Sequence, residues 1–152
     1  MKILRIVLLS SIGLIFGSQW LQAQTNEEIS NKITEFHLKA LESAGKLKRE
    51  VSKDKALKRK YLEEAKRQLD NASVQFAELK NHLTDAQRKA TIPYSSAIAK
   101  FHAEARKHYD ELNAEYEKEK QDIKRTGERA AYFHSAIANA EAEHQRLRKK
   151  IL

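Results

Sequence analysis

From Leu62 the apolar residues recur at Ala65, Leu69, Ala72, Phe76, Leu79 and Leu83, a strict alternation of three and four residues. A seven-residue repeat of this kind lays a narrow apolar stripe along a helix, and another helix packed with left-handed supercoiling must cover it. The same spacing runs earlier through Ile29, Ile33, Phe36, Ala40, Leu47 and Val51. It resumes through Tyr94, Ile98, Phe101, Ala105, Tyr109, Leu112, Tyr116 and Ile123, then through Ala130, Phe133, Ile137, Ala140, His144, Leu147 and Ile151. Beyond Thr25 only Gly45, Gly127 and Pro93 stand ready to interrupt helices, among residues that mostly favour them. The expected fold is all-α: a long, coiled-coil-like antiparallel helical hairpin with arms at about 26–83 and 93–151, joined by a turn at 84–93. The phase slips once in each arm, between Val51 and Leu62 and again near Glu119 to Ile123. Those slips admit an alternative, a four-helix bundle cut at Ser52 and Gly127, with Ser52 and Asp54 able to cap a helix.

The first residues have a different character. Lys2 and Arg5 precede the apolar run Ile6 to Phe16, and Leu21-Gln22-Ala23 follows. A basic start, a short apolar stretch and an A-x-A-like exit are the layout of a secretory signal peptide, so residues 1–23 are expected to be removed near Ala23. The run is shorter than the roughly 20 apolar residues of a comfortable membrane span. A single helical domain, 24–152, would then be exported to a periplasmic or extracellular space. It would hold no Met, Trp or Cys, hence no disulfide framework and no thiol chemistry. Setting aside Lys2 and Arg5 leaves 27 basic against 21 acidic residues, a net charge of +6. In an extracytoplasmic space this balance points away from nucleic acid and toward a protein or an anionic envelope component, with peripheral contact at a membrane surface compatible.

In the stretch "HLTDAQRKATIP", Thr84 and Gln87 have the spacing of a capping box, and Pro93 suits a helix's first turn. Leu83-Thr84-Asp85-Ala86-Gln87 resembles the LTxxQ motif of the Spy and CpxP family of small exported helical proteins, known as periplasmic chaperones and stress modulators. The resemblance implies an all-α, basic-faced protein with structural roles for Leu83, Thr84 and Gln87. A second copy of the motif and the family's Met-rich concave surface have no counterpart here.

Catalytic chemistry finds no support in the sequence. There is no nucleophilic cysteine, no Gly-rich phosphate loop and no Gly-x-Ser-x-Gly turn. No cofactor is expected. Glu141 and His144 make one Glu-x-x-His, half of the set that di-iron bundles use, and the chain has no second copy. They are weak metal candidates.

Charge supplies the stronger signal. Lys46, Lys48, Arg49, Lys53, Lys55, Lys58, Arg59 and Lys60 face only Glu50 and Asp54 in sequence, and hairpin register sets them against Lys124, Arg125 and Arg129. Such a belt would dock an anionic partner, steered by charge and weakened by salt. The expected function is a non-enzymatic exported protein acting through its surface, as a chaperone-like holdase or an envelope scaffold. The alternatives are an anionic-ligand binder using 46–60 and, as an outsider, a metal-binding helical bundle. Because a two-helix hairpin buries little apolar surface, a homo-oligomer is also expected.

Overall fold

The computed structural model describes residues 3–50 and 54–152, with side chains from Leu21 onward. The signal-peptide segment therefore lies largely outside the described side chains, as do Val51 and the belt residue Lys53. Four helices follow one another: α1 (Ile3–Arg49), α2 (Lys55–His82), α3 (Asp85–Glu117) and α4 (Ile123–Ile151). The fold is all-α, and its form is the four-helix alternative.

The two phase slips are where the arms fold back. Between α1 and α2, and again between α3 and α4, the stripe changes helix face and consecutive helices pack back on one another instead of carrying the wrong face inward. Aspartates restart the helices. Asp54 accepts from the backbone N–H of Leu57 at 3.0 Å, and Asp122 from that of Arg125 at 3.0 Å. Each satisfies an N–H that the first helical turn leaves over. The α2–α3 reversal is tighter than 84–93. Thr84 is the N-cap and makes the reciprocal capping box with Gln87, so α3 starts at Asp85. Pro93 lies inside α3 and starts nothing. Its missing N–H frees the carbonyl of Lys89, and both residues are exposed, where water can compensate. Gly127 likewise sits within α4, which begins at Ile123.

α1 packs against α2 and α4, and α3 against the same two, which leaves α1 and α3 diagonal across the bundle. Neighbours run antiparallel: Thr34 meets Gln145, Asp70 meets Arg106, and Arg129 meets Glu111. One end carries the two loops, and the other carries the Thr84 turn and the α4 terminus. The core divides along this axis. Ala40, Ala44, Leu47, Leu62, Ala65, Leu69, Ala105, Leu112, Tyr116, Ala130, Phe133, Ala136 and Ile137 fill the double-loop half. Ile29, Ile33, Phe76, Leu79, Leu83, Ile98, Leu147 and Ile151 fill the single-turn half. Most stripe positions are buried, but Ile123 is 61% exposed because α4 begins there. Phe36 and Phe101 are only half-buried; their neighbours His37 and His102 occupy the core instead. By folding back on itself each arm covers part of its own stripe.

Candidate metal centre

Between the two apolar clusters lies a polar layer to which all four helices contribute. His37 comes from α1, Ser73 from α2, His102 from α3, and Glu141 and His144 from α4. His37 and His144 have no exposed surface, and His102 retains 6%. Heptad geometry brings them inward. His37 follows Ile33 by four and precedes Ala40 by three, and His102 stands in the same relation to Ile98 and Ala105. Because α1 and α3 are diagonal, these two side chains meet across the centre, with Nε2 atoms 2.9 Å apart and ring centroids at 5.1 Å.

The remaining contacts extend from this pair. His37 Nδ1 lies 2.7 Å from Glu141 Oε2. His102 Nδ1 lies 2.9 Å from Ser73 Oγ, which is also 3.0 Å from the Leu69 carbonyl. His144 Nδ1 lies 3.4 Å from Thr34 Oγ1 and 3.6 Å from Glu141 Oε2. Gln145 donates to both Glu141 and Thr34. His144 Nε2 is buried with no hydrogen-bond partner among the described residues. A buried polar atom in that position costs about 1–3 kcal/mol.

At His102 and His144 burial favours the uncharged imidazole. Burial first, then the neighbouring His37 and Arg106, push the His102 imidazole down to about 3. Burial also lowers His144, against the opposing pull of Glu141. For Glu141 burial acts upward, yet contacts with His144, His37 and Gln145 outweigh it and hold the carboxyl well below the usual carboxylate range. Neutral imidazoles beside a carboxylate are the protonation states that a metal ion requires of its ligands.

One ligand atom each from His37, Glu141 and His144 lies within 4.8 Å of the others. Two atoms sharing an ion at ligand distances of 2.0–2.2 Å sit about 3–3.5 Å apart. The Glu141–His144 spacing is close to that range, while His37 and Glu141 would part by about half an ångström. Two imidazoles and one carboxylate suit a first-row transition ion and are a poor cage for calcium or magnesium, which prefer all-oxygen surroundings.

Of the sequence candidates, Glu141 and His144 are in this layer. The single Glu-x-x-His meets one histidine of another helix, His37 of α1, which in turn meets His102 of α3. His37 and His102 escape a hydrophobicity count because each follows a phenylalanine, and either residue of Phe36-His37 or Phe101-His102 satisfies the three-four spacing. The Phe-His dipeptide alone is no signal, since in the third copy, Phe133-His134, the phenylalanine is the buried member. The belt residues gather at the double-loop end. Lys55 donates to the Lys118 carbonyl, and Arg59 pairs with Glu117. Lys46, Lys48, Arg49, Lys60, Lys124 and Arg125 are exposed, Arg129 pairs with Glu111 at 2.8 Å, and Lys58 is buried, with 6% of its surface exposed. Lys46 pairs with Glu42, and Glu115 draws Lys118 and Arg125, so part of the positive charge is met locally.

No family model matches the sequence, and neither the comparison with curated proteins nor that with solved structures gave a match. Among the described residues, no helix is long and apolar enough to cross a membrane.

Proposed function

We propose that the protein is an exported, non-enzymatic four-helix bundle that binds a divalent first-row transition ion in its core. The carrying observation is the convergence of His37, Glu141 and His144, with ligand atoms within 4.8 Å of one another, in a layer sealed by apolar clusters above and below. Burial favours holding an ion over turning over a substrate, since His37 and His144 present no surface to approach. Export rests on the N-terminal segment. Untagged protein, stripped with chelator and titrated with zinc or cobalt(II), should take up one ion per chain, and Glu141→Gln should abolish tight uptake. Absence of stoichiometric uptake by folded wild-type protein would overturn the reading.

A second reading draws on the meeting of the 46–60 and 118–129 segments at one end, which concentrates exposed lysines and arginines near both loops. In that reading the end docks an anionic envelope component, and the holdase or scaffold role would act through it. Replacing Lys48, Arg49, Lys60, Lys120 and Lys124 by glutamine should then remove salt-sensitive binding to anionic vesicles. Unchanged binding would leave that end as a solvated face.

A further inference from the structure

The central contact has two directions in which its protons can run. Ser73 Oγ, His102 Nδ1 and Nε2, His37 Nε2 and Nδ1, and Glu141 Oε2 form one file, with successive contacts of 2.9, 2.9 and 2.7 Å. Ser73 has a single hydroxyl proton but two acceptors in reach, His102 Nδ1 and the Leu69 carbonyl at 3.0 Å. In one direction Ser73 donates to His102, His102 Nε2–H donates to His37, and His37 Nδ1–H donates to Glu141. In the other, Ser73 donates to the Leu69 carbonyl, His102 Nδ1–H donates to Ser73, and His37 Nε2–H donates to His102. The second direction leaves the His37 Nδ1 lone pair facing a carboxylate at 2.7 Å. Two electron-rich atoms that close repel unless a cation lies between them. Both directions contain the same number of protons, one on each histidine and one on the serine.

We propose that Ser73 and His102 are positioning residues for the metal ligand His37: they form a reversible hydrogen-bond wire that presents Nδ1 to the ion by moving the His37 proton to Nε2. The inference rests on the metal reading above and deepens it. Metal-bound histidines ordinarily donate their second ring N–H to an acceptor that fixes tautomer and orientation. Here the acceptor is another histidine, and the Leu69 carbonyl terminates the wire. An apolar cluster lies on each side of it. His102 thus acts through His37 and does not touch the ion.

Two measurements on the full chain test this. In ion-free protein, nitrogen NMR should find the His37 proton on Nδ1; with zinc added, it should be on Nε2 with Nδ1 coordinated. In cobalt(II) titrations followed by visible ligand-field absorption, His102→Phe should weaken binding by roughly tenfold to a hundredfold without changing band position. His102→Gln, whose amide can accept from His37 and donate to Ser73, should restore most of the affinity. Ser73→Ala should lose less than His102→Phe. A band shift or a lost histidine ligand in His102→Phe would make His102 a ligand and overturn the proposal. So would unchanged affinity in that variant, or a His37 proton that stays on Nδ1 in the zinc-bound protein. If His102→Phe fails to fold, His102→Gln, Ser73→Ala and the NMR measurement remain decisive. Failure of wild-type protein to bind either ion would defeat the metal reading itself, while the ion-free tautomer would still report the wire.

Discussion

The two halves of the bundle follow one heptad pattern and are built differently. The double-loop half interleaves small and large residues: Ala40, Ala44, Ala65, Ala105, Ala130 and Ala136 let backbones approach, and Leu62, Leu69, Leu112, Phe133 and Ile137 fill the spaces between. The single-turn half has no alanine in its buried cluster and relies on isoleucine, leucine and Phe76. It also buries Asn26 and Ser30 completely, with neither amide atom of Asn26 nor the Ser30 hydroxyl partnered among the described residues. In the other half the buried Glu115 pairs with Lys118 and Gln68 donates to Glu64, although Gln68 Oε1 is unpartnered among the described residues. A shared stripe therefore specifies direction and layering, while the choice of side chain at each layer decides how tightly that layer closes. The polar layer sits at the junction, with the firm half on one side and the looser half on the other.

The largest effect is expected in the double-loop half. Phe133→Ala should cost about 3–5 kcal/mol in urea unfolding, because a fully buried ring among alanines leaves a hole that small neighbours cannot fill. A cost below that of Leu147→Ala in the single-turn half would reverse the proposed ranking.

Acid should act next, through the junction. His102 takes up its proton near 3 when folded and near the ordinary 6.5 when unfolded, so between these values the unfolded chain binds more protons. Stability should fall as pH drops from 6.5, by about 2 kcal/mol at pH 5 from His102 alone. His144, also lowered, adds in the same direction. Urea titrations at pH 7 and pH 5 would check this, and His102→Phe should flatten the difference.

On the looser side, Asn26→Leu should raise stability by about 1–2 kcal/mol by removing two unsatisfied buried atoms. A loss of stability would show that the single-turn half depends on Asn26 and is not merely tolerating it. Thr84→Ala should cost about 1 kcal/mol by removing the cap of α3. Lys39→Ala, which breaks only the exposed pair with Glu35, should cost about 0.3–0.5 kcal/mol in either half's assay.

Helical class and layering were legible in the sequence because spacing alone carries them. The phase slips near residues 52 and 120 were legible too, but spacing does not say whether a slip is absorbed by bending or by reversal. Asp54 and Asp122, each placed to cap, tip that balance toward reversal. Pro93 misleads because sequence cannot show that its freed carbonyl faces water. The polar layer was half legible. Glu141 and His144 announce themselves within one turn of helix, whereas His37 and His102 lie 65 residues apart and meet only through the diagonal placement of α1 and α3. A residue beside each, phenylalanine, competes for the same inward position, and only the waiting carboxylate and serine settle it in histidine's favour.

That layer also serves as a ruler for the fold. Helices with a seven-residue repeat can slide past one another by seven residues and still match apolar to apolar, so sameness of pattern is itself a hazard. Moving α1 by one repeat would exchange His37 for Ser30 or Ala44 at the centre, and would take from Glu141 and His102 the imidazole that joins them, leaving Glu141 only its own-helix contacts and His102 only Ser73. Removing one partner from a largely buried charged group is costly, because the charge is left less well compensated. Misaligned bundles are thereby penalised at one level along the axis, and four otherwise interchangeable stripes acquire a common zero.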